Sequence, residues 1–211
     1  MIILLLAGWS SNAPQYAFAK LRRELFEIPG VMIFSPDYLE KSICLRKLRT
    51  KKSIEEYADE VEKYFLSIKE DFPEEPVIAM GHSLGSIVLR VLIKRGHTFD
   101  EVIFAGGPHD GLSKKLLVLY PLAYILGIKL FFELLPGSKF LEELGKPPEG
   151  IYIASSKDEV VPRNSAFPPG AKRGYIISSC GHNMFPREEK KVPQSVIPIV
   201  VTIVKGHMQQ A

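Results

Sequence analysis

Residues 77–86 read Val77-Ile78-Ala79-Met80-Gly81-His82-Ser83-Leu84-Gly85-Ser86. An apolar run suited to a buried strand passes into Gly-x-Ser-x-Gly, and an amphipathic segment follows at once. After Leu84, the residues Ile87, Val88, Val91 and Leu92 recur at helical spacing up to Arg95, and Gly96 supplies the stop. A serine on such a strand-to-helix turn projects its hydroxyl away from the chain. The flanking glycines let neighbouring backbone come close, and the helix start presents free N–H groups where negative charge could form. The pentapeptide alone is a weak signal, because glycine and serine are common. Between a strand and a helix it is a strong one. The plainer alternative is an ordinary turn with a capping serine.

The same alternation extends outward along the chain. Near-continuous apolar runs predict strands at Ile2–Ala7, Val31–Ser35, Val77–Met80, Glu101–Ala105, Ile151–Ser155 and Tyr175–Ser178. Such runs belong to strands covered on both faces. Asn12 can cap a helix carrying Phe18, Leu21 and Leu25. Ser53 with Glu56 has capping-box spacing, and Ile54, Tyr57, Val61, Phe65 and Ile68 follow on one helical stripe. After Arg187, Pro193 and Pro198 predict a kinked C-terminal helix. Strand and helix in turn predict one α/β domain over residues 1–211, with a mostly parallel six-stranded sheet and helices on both faces.

Composition narrows the class further. Of 211 residues, 46% are apolar and the net charge is only +3, which excludes a disordered chain. Two cysteines, Cys44 and Cys180, are too few for a disulfide scaffold and fit a reducing compartment. The charge is too weak to argue for nucleic acid. The basic cluster Arg46–Lys52 reads as a solvated loop and helix entry. Neither a metal cluster nor a dinucleotide fingerprint is present, so no cofactor is expected. The first apolar run is too short for a secretory signal, which favours the cytoplasm. Mean hydropathy is +0.06, high for a soluble enzyme. Part of that excess lies in Leu116–Leu135, where Lys129, Glu133, Pro121 and Gly127 argue against a membrane span and for a buried or interfacial helical hairpin.

A serine hydroxyl needs a base to accept its proton. Of five histidines, His82 sits beside Ser83 and should pack elsewhere, His97 looks exposed, and His207 lies in a polar tail. His182, in the loop beyond the last strand, shares the C-terminal edge of a parallel sheet with Ser83. Asp158, after the fifth strand, can orient that imidazole and stabilise its cation. Asp110, after the fourth strand, faces the same edge and competes for the role, whereas Glu159 reads as solvated. Cys180 reads as a small buried filler.

These residues make the chain resemble the α/β-hydrolases over essentially its full length. The resemblance rests on GHSLG around Ser83, KDEVVP around Asp158, CGH around His182 and AGWS after the first strand. It implies a serine nucleophile, an acyl-enzyme and, because the first strand here matches the family's third, a strand order of 2-1-3-4-5-6. It implies an oxyanion hole made by the backbone N–H groups of Leu84 and Trp9, where many members carry His-Gly and where Ser10 is the neighbour. Trp9 would also wall the substrate pocket. The insertion at about residues 109–150 would form a short helical cap. An apolar cap points to small-molecule or lipid esters and offers a transient contact with a membrane surface. A thioesterase, acyltransferase or lyase shares the triad, and a non-catalytic binding protein can keep the fold.

Overall fold

The computed structural model describes residues 1–9, 18–38, 52–185 and 196–209. The expectations placed on Asn12, Cys44, Arg46 and Pro193 lie outside the described residues. In chain order the elements are β1 (Ile2–Leu6), α1 (Ala19–Phe26), β2 (Met32–Phe34), α2 (Ile54–Asp71), β3 (Val77–His82), α3 (Leu84–Lys94) and β4 (Glu101–Ala105). A 3₁₀ turn at Lys114–Leu119 leads into α4 (Tyr120–Leu126), α5 (Lys129–Glu133) and α6 (Lys139–Leu144). Then come β5 (Ile151–Ser155), α7 (Arg163–Ala166), β6 (Arg173–Ile177) and α8 (Val196–Met208).

The six strands form one parallel sheet ordered β2-β1-β3-β4-β5-β6. Ile3 pairs with Ile33 on one side and Ile78 on the other, and Gly81 and His82 pair with Phe104 and Ala105. The order reverses direction between β2 and β3, so right-handed crossovers send α1 to one face and α2 with α3 to the other. α8 packs on α1, and α2 on α3. Covered on both faces, β1, β3, β4 and β5 are buried along their length.

β6 departs from expectation. It starts at Arg173 rather than Tyr175, and Tyr175 and Ile176 are exposed, because this strand ends the sheet. Of the C-terminal stretch, the described part is the helix α8, which contains Pro198. At Ser53 the capping box is formed as read from the spacing, with each partner's oxygen accepting from the other's backbone N–H.

The insertion is a chain of short helices rather than a hairpin. Pro121 opens α4 instead of breaking it, and Gly127, left-handed at φ 64°, ends it. Among the described residues, no helix is long and apolar enough to cross a membrane. Arg90 of α3, 2% exposed, holds both ends of the insertion. Its guanidinium donates to the His109 carbonyl at 3.0 Å and to the Gly145 carbonyl at 2.6 Å. Burial lowers its pKa to about 10, so it stays a cation at neutral pH. Higher up, the Leu112 N–H donates to the Leu134 carbonyl, and the Glu133 carboxylate accepts from the Ile54 N–H at the start of α2.

The turn from β3 to α3 works only with glycine at 85. A Cβ there would lie 2.1 Å from the Leu6 carbonyl oxygen and 2.6 Å from its carbon. Backbone cannot yield as a flexible side chain can, so Gly85→Ala should cost at least about 2–3 kcal/mol. Urea unfolding of purified protein measures this; an unchanged midpoint would show that β1 and α3 are less tightly apposed.

Candidate active site

Ser83 stands between the last residue of β3 and the first of α3, with φ 54° and ψ −118°. It is the one non-glycine residue of positive φ among the described residues. Such a conformation costs about 1–3 kcal/mol and persists only where the surroundings impose it. Here the Ser83 N–H donates to the Ala105 carbonyl at 2.9 Å, and the Ser86 hydroxyl donates to the Gly81 carbonyl at 2.7 Å. The side chain is thereby thrown up off the sheet edge, half-buried and reachable.

The structure brings Ser83, His182 and Asp158 together. Ser83 Oγ lies 2.8 Å from His182 Nε2, and His182 Nδ1 lies 2.8 Å from Asp158 Oδ2. A carboxylate only accepts, so Nδ1 carries the proton and Nε2 is left to accept from the serine hydroxyl. The Asp158 side chain has no exposed surface, and its second oxygen accepts from the Val160 and Val161 N–H groups, each at 2.9 Å. Asp110, the competitor, is not in this group. It is exposed, and its N–H donates to Ser165 Oγ. Glu159 is exposed, as expected.

The loop after β1 sits against the same turn. A Cβ on Gly8 would fall 2.9 Å from Ser83 Cβ and 3.2 Å from His82 Nδ1, so this close approach requires glycine. The buried Tyr38 hydroxyl donates to the Ala7 carbonyl and fixes the loop from below. Trp9 is partly buried and packs on the core. Leu84 is the first residue of α3, where backbone N–H groups have no partner within the helix. Ser10 lies outside the described residues.

The neighbouring histidine packs away from the serine, as its position beside Ser83 predicts. His82 is 8% exposed, and its Nε2 donates to the His182 carbonyl at 3.0 Å. Its ring also meets Phe185 edge-on at 5.2 Å. Burial lowers its pKa to about 4, so it is neutral beside His182. The motif gave no signal of this bond, whose partner lies ninety-nine residues beyond the serine. His97 and His207 are not free either: they pair with Glu62 and Glu101. His109 is buried, its pKa held well below the ordinary value by desolvation. Cys180 is half-buried rather than buried, and burial raises its thiol pKa.

A cavity of about 940 Å³ lies on the β5–β6 side, lined by residues including Asp110, Leu141, Tyr152, Pro168 and Arg173. None of Ser83, Asp158 or His182 lines it. Among the described residues, no cluster of histidine, cysteine and carboxylate side chains is grouped as a metal site.

No protein-family model matches the chain, and no curated protein matches it in sequence. Solved structures do. An esterase from Exiguobacterium antarcticum superposes with a TM-score of 0.71 at 18% identity, over 97% of this chain and 92% of that one. A Bacillus licheniformis lipase in its mature form gives 0.70 at 16%, over 96% and 91%. A putative hydrolase of the alpha/beta superfamily from Xanthomonas campestris gives 0.60 at 14%, over 100% and 99%. With the six-stranded parallel sheet, this likeness gives the chain the α/β-hydrolase fold.

The His82 environment carries a pH signature. The folded state keeps His82 neutral down to about pH 4, whereas the unfolded chain protonates it near its ordinary 6.5. The stability it contributes is therefore whole above about pH 6.5 and is lost as pH falls toward 4, by about 3 kcal/mol in all. His82→Gln takes up no proton, so its urea midpoint should decline less than the wild type's across that window. Equal declines would place the titration elsewhere.

Proposed function

We propose that the protein is a serine hydrolase that cleaves carboxylic esters, with lipophilic esters as the substrate class. One observation carries the reading: Ser83, His182 and Asp158 form an unbroken hydrogen-bonded relay, 2.8 Å at each step, with the serine held at a positive φ. The esterase and lipase neighbours support it at the level of fold.

In this reading Ser83 Oγ attacks the ester carbonyl carbon while His182 Nε2 takes its proton. Asp158 stabilises the imidazolium and keeps the ring oriented. The backbone N–H groups of Leu84 and Trp9 receive the oxyanion, an interaction worth about 3 kcal/mol per donor in such sites. The imidazolium then protonates the leaving alkoxide, and the acyl group stays on Ser83. His182 next deprotonates a water that attacks the acyl-enzyme, and the acid leaves as the serine regains its proton. Trp9 forms one wall for the acyl group. The strained serine is part of this chemistry, because only that backbone geometry lifts Oγ to the base while the first amides of α3 stay behind it. His82 acts at one remove, holding the carbonyl of His182 so that the loop cannot swing the base away.

Labelling with a fluorophosphonate probe tests the nucleophile. The wild type should label and Ser83→Ala should not; an unlabelled wild type ends the hydrolase reading. A panel of nitrophenyl esters graded by chain length tests the substrate class, with turnover expected to rise from acetyl toward medium chains. Probe labelling with flat or absent ester turnover would favour thioester cleavage, acyl transfer or a lyase instead. For the acid, Asp158→Asn should lose about ten-thousand-fold in kcat, and Asp110→Asn should stay within about threefold. The reverse order would move the role to Asp110.

A further inference from the structure

The insertion turns its apolar side outward. Along the 3₁₀ turn and α4, Val118 is 78% exposed, Tyr124 72%, Ile125 79% and Leu122 50%. Val118, Leu122 and Ile125 follow one another at helical spacing, so they form a single stripe. Leu117 and Tyr120 flank it, both exposed. On the opposite side Ala123 is buried, and Leu116 and Leu126 are partly buried against the body. A contiguous apolar patch of this kind marks an interaction surface.

The charges around it choose the partner. From Gly111 to Phe132 the sequence contains no aspartate or glutamate, although the whole chain has 24 of them. The charges in that stretch are Lys114, Lys115 and Lys129, and all three are exposed. Lys129 lies near the Glu56 and Glu133 carboxylates, so the basic edge is the Lys114–Lys115 pair at the start of the stripe. An apolar stripe with such an edge is complementary to a surface that is greasy inside and anionic at its face. A second copy of the chain fits worse. Two copies meeting face to face through this patch would bring their Lys114–Lys115 pairs into one interface.

We propose that the 3₁₀ turn and α4 form a docking surface for an anionic lipid bilayer, lying flat with the Val118, Leu122 and Ile125 stripe in the acyl boundary. The patch is joined to the candidate site by a short path. The Ser113 N–H, one residue before the 3₁₀ turn, donates to the Val160 carbonyl, and the Val160 N–H donates to Asp158. Docking therefore sets the sheet edge that carries Ser83 beside the membrane, from which a lipophilic ester can be drawn without crossing water. The docking stands on the surface itself; its service to ester cleavage rests on the function proposed above.

Sedimentation with lipid vesicles tests it. The full chain is mixed with vesicles of pure phosphatidylcholine, or of two-thirds phosphatidylcholine and one-third phosphatidylglycerol. The wild type should pellet with the anionic vesicles, less with the neutral ones, and less again as salt is added. A Val118→Asp, Ile125→Asp double variant should partition at least about tenfold more weakly. Its probe labelling and turnover of a water-soluble short ester should match the wild type. Lys114→Glu with Lys115→Glu should lose the preference for the anionic vesicles. A wild type that stays in solution with both vesicle types overturns the proposal. So does a double variant that binds as well as the wild type, or a wild-type dimer in solution that the double variant dissociates. Binding without probe labelling would uphold the docking and end the hydrolase reading; labelling without binding would do the opposite.

Discussion

Helix α3 begins so close to strand β1 that backbone touches backbone at Gly85 and the Leu6 carbonyl. That contact holds the turn from β3 to α3 tight enough to force Ser83 into a positive φ. It also sets β1, β3 and the first turn of α3 as one rigid unit, against which the Gly8 loop can lie at van der Waals distance of the serine. Loosening any of these would let Ser83 relax into an ordinary helix cap, with its hydroxyl turned toward its own backbone. The strain, about 1–3 kcal/mol, is carried by the apolar core on both faces of the sheet.

Around this unit, three ionisable groups are buried with hydrogen-bond partners on the backbone. His82 is neutral because it is enclosed, and a neutral ring beside His182 does not oppose the positive charge that the proposed mechanism puts there. Arg90 stays a cation though buried, and its two terminal nitrogens donate to the His109 and Gly145 carbonyls. Asp158 is enclosed but saturated, with both oxygens accepting. His82 and Arg90 are held by carbonyls from distant parts of the chain, and Asp158 by His182 as well as by its own loop.

That dependence explains what could be read from the sequence. Strands buried on both faces appear as plain apolar runs, and a parallel sheet necessarily puts Ser83, Asp158 and His182 at one edge, so the architecture and the three-residue group were legible. The choice between Asp158 and Asp110 was open, because both follow strands that end on that edge; only the loop conformation separates them. His82 and Tyr38 act through bonds to distant backbone carbonyls, which leave no local pattern. Arg90 was visible as a charge inside an otherwise apolar helix, but its targets, His109 and Gly145, were not. The insertion shows the limit of periodicity. Helical spacing identifies an apolar face without saying which way it looks, and here α4 turns it to solvent while α5 turns Leu130 and Phe131 inward.

The grip of Arg90 on His109 and Gly145 has a bearing on how such a chain can vary. One guanidinium moors both feet of the insertion, and the Leu112–Leu134 bond closes a smaller ring above it. Everything between those clasps is a loop with fixed ends. The entropy of closing such a loop grows only with the logarithm of its length, about 0.6 kcal/mol for each doubling. The stretch can therefore lengthen, shorten or exchange its apolar face for a polar one at small cost to the sheet. The sheet edge that carries Ser83 and the surface the insertion presents to the outside are thus separable parts, free to change at different rates.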